Sequence, residues 1–217
     1  MSFPGPLPPP PGDFSRFELP LRQISGSWFR SHLVDRSPIY YGRNGRYRFD
    51  DPDRSYGVLY VADDAHGAFV ETFGQFLSAP QRERQVTSEQ LSLRALSELI
   101  CDRPLRLVDL TSGGLARLNI DSRIFAGDYK EAQMWSRAFE RHPEKPDGLL
   151  YPARHDPARK AAAIFNESLR WTTLSRKTWL SLGFLLRDIL NEYGFALIES
   201  HFVQPAVRKG PQQETLF

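Results

Sequence analysis

The sequence predicts an α+β fold built around one principal domain, and three observations carry that expectation. Short β-prone apolar runs recur along the chain, and amphipathic helical stripes stand between some of them. The two kinds of segment do not alternate regularly, as a doubly wound parallel sheet would require. The 217 residues are 41% hydrophobic and 12% aromatic, enough to bury one sizeable core.

Taken in order, residues 1–24 read as a proline-rich tail or strap. Pro4, Pro6 and the run Pro8 to Pro11 favour extended polyproline conformation and cannot build a core. Val58 to Ala62 is a short β-prone strand, stopped by Asp63 and Asp64, which supply a helix N-cap. The helix that follows over 65–77 has the apolar stripe Phe69, Phe73, Phe76 and Leu77, with Glu71 on a different face. Thr87 and Gln90 have capping-box spacing before a second helix, whose stripe includes Leu91, Ala95, Leu99 and Ile100. Leu105 to Leu110, Leu149 to Tyr151 and Ala161 to Phe165 read as three more strands. A last helix places Leu182, Leu185, Leu186, Ile189, Leu190 and Tyr193 at i, i+3, i+4, i+7 spacing, with Gly194 as its C′ residue. Its wide apolar face must be covered, either by the core or by a second subunit in a homodimer. The polar end 208–217 is expected to extend from the fold as a tail.

Composition narrows the functional classes. Lys and Arg number 28 against 26 Asp and Glu, a formal net charge of +2, so no global field attracts nucleic acid. Cys101 is the only cysteine, which excludes an intramolecular disulfide and a thiolate-rich metal site, and it is expected as a small buried hydrophobe. The N-terminus lacks a basic n-region and an apolar h-region, and no run is long enough to span a bilayer, so a cytoplasmic protein is expected. No G-x-G-x-x-G, G-x-x-x-x-G-K-[ST], H-E-x-x-H or G-x-S-x-G motif occurs. Hydride transfer, kinase-like chemistry, metal hydrolysis and α/β-hydrolase chemistry therefore lose their usual support.

The informative stretch runs from Trp28-Phe29-Arg30 through Gly45-Arg46-Tyr47-Arg48-Phe49-Asp50-Asp51-Pro52 to Leu59-Tyr60-Val61-Ala62 and Phe69-Val70-Glu71. Leu107-Val108-Asp109-Leu110-Thr111 and Asp147-Gly148-Leu149-Leu150-Tyr151-Pro152-Ala153-Arg154 follow it. Together these pieces resemble the RES family in order and spacing. Its pattern is an early strand with Arg, a G-x-R-[FW]-x-x-P turn, an L-Y-x-A strand, a helical glutamate, an L-x-D-L-T strand and a D-G-[ILV]-x-Y-x-S-R segment. Each piece is weak alone, and the set gains its weight from context.

That resemblance implies an ADP-ribosyltransferase-like fold and cleavage of NAD+, by hydrolysis or phosphorolysis, with NAD+ as substrate and no separate cofactor or metal. It also implies a toxin held inactive by an Xre-type antitoxin. It marks residues 25–165 as the RES-like core, 166–207 as a helical extension packed on it, and Glu71, Tyr60 and Arg30 as catalytic. Arg48, Arg46 and Arg154 are the implied substrate-binding residues. The residue types suit that chemistry. Breaking the nicotinamide–ribose bond passes through an oxocarbenium-like state that a carboxylate stabilises. An aromatic face stacks on the cationic nicotinamide ring, and guanidinium forks hold phosphates.

Each residue also has a plainer account. A helical glutamate is ordinarily solvated, a tyrosine in a strand is ordinarily core, and Arg46 and Arg48 also read as decorating a turn between Gly45 and Pro52. One departure bears on activity: the serine of the family pattern is Ala153 here. A catalytically silent nucleotide- or protein-binding module is therefore the second reading. Nucleic-acid binding through the basic stretch from Arg154 to Lys177, with Trp171 and Trp179 as stacking rings, is a weaker third.

Overall fold

The computed structural model describes residues 5–78, 80 and 84–199. Eight strands form one mixed sheet: β1 (Leu21–Ile24), β2 (Ser27–Leu33), β3 (Leu59–Ala62), β5 (Arg94–Cys101), β6 (Leu105–Asp109), β7 (Gly148–Ala153), β8 (Asp156–Ile164) and β9 (Trp171–Thr178). Their spatial order is β1-β6-β7-β8-β3-β2-β5-β9. Within this sheet only β6 and β7 pair in parallel, so the chain between them must cross over, and it does so through α3 (Gly114–Arg117), α4 (Arg123–Ala126) and α5 (Tyr129–Glu140). The short strands β4 (Gln85–Thr87) and β10 (Ala196–Ile198) form a separate parallel pair. The architecture is α+β, a mixed sheet with flanking helices. No helix of the described residues is long and apolar enough to cross a membrane.

Strand alternation sorts the core. Leu59 and Val61 of β3, Leu150 of β7, and Ala162 and Ile164 of β8 share one face with Trp28, Leu99, Leu105 and Leu107. Tyr60, Leu149, Tyr151, Ala161 and Ala163 turn to the other face, where helices cover them. Over one half of that face lies α5, whose Trp135 and Phe139 pack with Phe14 and Leu7 from the N-terminus. Over the other half lie α1 (Ala65–Phe73) and α6 (Phe184–Tyr193), joined through Phe69, Phe73, Trp179, Leu186, Ile189 and Leu190. Each such large apolar side chain contributes about 1.5–3 kcal/mol when fully buried.

Several sequence expectations are met in detail. The Asp64 carboxylate accepts from the Gly67 N–H at 2.7 Å, capping α1. The terminal helix covers Leu186, Ile189 and Leu190, and ends at Gly194 with φ of 66°, the left-handed conformation a C′ glycine adopts. The predicted second helix is corrected. The Thr87–Gln90 capping box is present, but α2 spans only Ser88–Ser92, and Arg94–Cys101 is β5, paired to β2 on one side and β9 on the other. Ala95 and Leu99, two of the presumed helix stripe, equally fit a period of two once Ser97 is placed between them. That serine is buried, with its Oγ 2.9 Å from Nε2 of His32. Cys101 accordingly ends a strand and is only half-buried.

The expected boundaries also move. β1 falls within 1–24 and β9 within 166–207, yet both lie in the main sheet, so the core is wider at each end than 25–165. The N-terminal strap is docked through Leu7, Phe14 and Leu19, all buried. The 208–217 tail lies outside the described residues.

Candidate functional site

The site begins with a seam in the sheet. β2 and β3 are neighbours, yet their register holds a single pair, Phe29 with Ala62, while β3 pairs along its length with β8 and β2 with β5. The strands splay at the level of Arg30 and Tyr60. Helix α1 lies against β2, β3 and β8, across this seam.

Glu71 is the one exposed residue of α1; its neighbours Ala68, Phe69, Val70 and Phe73 anchor the helix beneath it. The carboxylate is open to water but sits in a concavity. Burial by the surrounding protein raises its pKa, partly offset by the Arg154 N–H, which it accepts at 3.2 Å, and by the charges of Arg48 and Arg154. Gly74 lets this meeting occur, because a Cβ there would stand 2.6 Å from the His155 ring. The Arg154–His155 turn can thus lie against the end of α1.

Arg48 is buried, and its Nη1 donates to the Gly127 carbonyl at 2.7 Å while its guanidinium lies 4.4 Å from the centroid of the Tyr129 ring. The loop carrying it is held from inside. Gly45 takes φ of 70°, and one oxygen of the buried Asp50 accepts the N–H groups of Arg46 (3.0 Å) and Tyr47 (3.1 Å). The other oxygen accepts the Tyr60 hydroxyl at 3.0 Å, and that hydroxyl accepts the Phe49 N–H at 3.0 Å. Asp51 then pins the loop to α5 through Arg137, at 2.9 and 2.7 Å.

These bonds define what Tyr60 can do. Burial, and next the Asp50 charge, push its hydroxyl well above the usual tyrosine range, and both its donor and acceptor roles are occupied. Its ring is therefore the useful part, in edge contact with the exposed ring of Tyr47 at 5.7 Å.

The structure thus brings Glu71, Arg48 and Arg154 together, with Tyr60 adjoining through the loop it supports. Arg30 is set apart. Alternation on β2 turns it to the sheet face of Trp28, and its Nη1 donates to the carbonyls of Pro38 (2.8 Å) and Tyr40 (3.1 Å). Burial lowers its pKa to about 10, opposed by Tyr47, Tyr40 and Tyr41, so it stays charged at neutral pH. Arg46 is exposed and serves the loop through its backbone.

A cavity of about 660 Å³ adjoins this group, lined by Arg48, Arg154, Tyr129, Arg123 and the strap residues Gly5, Pro6 and Leu7 among others. Among the described residues no group of His, Cys, Asp or Glu could hold a metal ion. Sequence reasoning passed over Asp50, Tyr47 and Tyr129. The first two lie inside the turn already singled out, where two adjacent acids and an aromatic were the signal. Tyr129 reaches Arg48 only through the tertiary fold.

Comparison with known proteins accords with this arrangement. A probable toxin, y4kH, of Sinorhizobium fredii (strain NBRC 101917 / NGR234) is 34% identical over 97 residues, covering 41% of this chain and 76% of that protein. A chain in the crystal structure of the M. tuberculosis MbcT–MbcA toxin–antitoxin complex shares the fold, with a TM-score of 0.53 at 18% identity, over 77% of this chain and 92% of that one. The RES domain family model matches residues 21–180, from the first strand of the main sheet to just past its last, and includes the turn, strand and helix that gather Arg48, Tyr60 and Glu71. On that match the chain belongs to the RES domain family.

Proposed function

We propose that this site cleaves the nicotinamide–ribose bond of NAD+, and that the chain is the toxin of a toxin–antitoxin pair, restrained by an Xre-type antitoxin. The observation that carries the chemistry is Glu71: a solvent-open carboxylate held against the Arg154 turn and flanked by the charges of Arg48 and Arg154. When the glycosidic bond breaks, its electron pair leaves with the nicotinamide nitrogen, and positive charge develops on the ribose ring. Glu71 stabilises that charge from a fixed position, and bound substrate displaces the water beside it. Water or phosphate then adds to the anomeric carbon, and a proton is released to solvent. Arg48 and Arg154 suit the two phosphates, and the Tyr60 and Tyr47 rings suit the flat cationic base. The toxin reading is supported by the relatives, one described as a probable toxin and one solved in a toxin–antitoxin complex.

The test is NAD+ consumption and nicotinamide release by purified protein, with and without phosphate. Release that requires phosphate identifies phosphorolysis, and release without it identifies hydrolysis. Intact NAD+ after prolonged incubation refutes the reading. A second reading, a silent nucleotide-binding module, is favoured by Ala153, which is fully buried and offers no hydroxyl where the family pattern has serine. Saturable NAD+ binding without turnover would establish it.

A further inference from the structure

The proline-rich N-terminus lies outside the family match, which begins at residue 21. It is nevertheless built into the molecule. Leu7 is only 3% exposed and belongs to the same core cluster as Phe14, Trp135 and Phe139. Side chains of α4 and α5 hold the backbone on either side of it. Arg123 Nη1 donates to the carbonyls of Gly5 (2.7 Å) and Pro6 (2.9 Å), and Trp135 Nε1 donates to that of Pro8 (2.8 Å). The Asp121 carboxylate holds Arg123 in turn, at 2.9 Å from Nε and 2.7 Å from Nη2. A proline-rich segment has few N–H groups, so carbonyls are what it offers for attachment, and these are the groups engaged.

Gly5, Pro6 and Leu7 line the cavity that Arg48 and Arg154 also line. They form one side of it. With them the cavity, about 660 Å³, falls within the roughly 300–1,000 Å³ of small-molecule sites. We infer that the N-terminal strap is part of the substrate site: it closes the outer side of the cavity and sets how tightly NAD+ is held. The inference rests on the NAD+ reading and adds a residue segment that the family match does not contain. Glu71 is not in the cavity wall and meets it through Arg154, whose N–H it accepts, and through the charge of Arg48. The strap therefore governs affinity, and the carboxylate governs the bond-breaking step. This wall is tied down by Arg123 and Trp135 and anchored by buried Leu7, so it loses little conformational freedom when the ligand arrives.

Two variants of the full chain test it. Leu7→Asp places a charge in the core cluster and expels the strap, while Trp135→Phe keeps an aromatic ring and removes only the tie to Pro8. Thermal melting establishes that each is folded. Calorimetry with ADP-ribose and steady-state kinetics with NAD+ supply the readouts. The expected result for Leu7→Asp is a Kd and KM raised at least about tenfold with kcat within about twofold, and for Trp135→Phe a smaller shift in the same direction. A merely structural role would lower the amount of folded protein and leave KM alone. Folded variants with wild-type KM and Kd overturn the inference and leave the NAD+ reading standing. Wild-type protein that binds neither NAD+ nor ADP-ribose overturns both.

Discussion

Glu71→Gln isolates charge from shape. The Gln side-chain carbonyl can still accept the Arg154 N–H, now 3.2 Å from Oε1, so the turn that carries Arg154 keeps its anchor. What disappears is the negative charge opposite the developing cation. Removing one such preorganised contact costs about 10²–10³ in kcat, roughly 2.7–4 kcal/mol. Binding of NAD+ should change little, because the ground-state ribose carries no full charge for Glu71 to meet. Single-turnover nicotinamide release gives the first quantity, and calorimetry at low temperature the second. Stability supplies an independent check. The folded pKa of Glu71 is raised, so above the ordinary value of about 4.3 the folded state binds more protons than the unfolded chain, and stability falls as pH rises towards the raised value. Glu71→Gln escapes that loss and should melt at a higher temperature than wild type at neutral pH, the difference vanishing in acid. A variant that keeps wild-type kcat, or that loses rate only through weakened binding, refutes the assignment.

Asp50→Asn should lower Tm and raise KM about tenfold, since an amide cannot accept from Arg46, Tyr47 and Tyr60 at once, and each buried bond lost costs about 1–3 kcal/mol; unchanged melting and KM would show that the loop does not depend on it. Asp51 is held at about pKa 2, where burial, which raises it, is outweighed by bonds from Ser55 and Arg137. Its stabilisation is complete above pH about 4 and is lost as pH falls towards 2, so urea titrations of wild type and Asp51→Asn should converge on acidification, and a constant gap contradicts this. Ile189→Ala, at a fully buried site of α6, should cost about 2–5 kcal/mol in denaturant unfolding, and a cost below 1 kcal/mol would mean that α6 is not part of the cooperative unit. Ala153→Ser should raise kcat with KM unchanged if the missing hydroxyl limits the rate, and a folded variant with no gain shows that it does not.

Local rules made some of the fold legible and left other parts hidden. Asp64 and Gly194 punctuate α1 and α6 with chemistry that acts over three or four residues, so those helices could be read from the chain. β5 could not, because Leu91, Ala95 and Leu99 satisfy a helical spacing, and what decides otherwise is pairing with β2 and β9, which lie far away in sequence. The same division holds at the site. The turn from Gly45 to Pro52 and the glutamate of α1 stand in a recognisable order. The Tyr129 ring beneath Arg48, the strap beside the cavity, and the placing of Arg30 on the sheet face of Trp28 follow from strand alternation and crossover, which no short window contains.

The single ladder pair between β2 and β3 makes the sheet two rigid plates with a soft crease. On one side lie the five strands from β1 to β3, and on the other β2, β5 and β9. Backbone bonds resist bending within each plate, but across the crease the resistance comes from side-chain packing, of α1 on one face and of Trp28 and Leu99 against Leu59 and Val61 on the other. Few backbone bonds hold that line, and the helix spanning it carries Glu71. On the proposed function, the packing that braces this line also places the carboxylate.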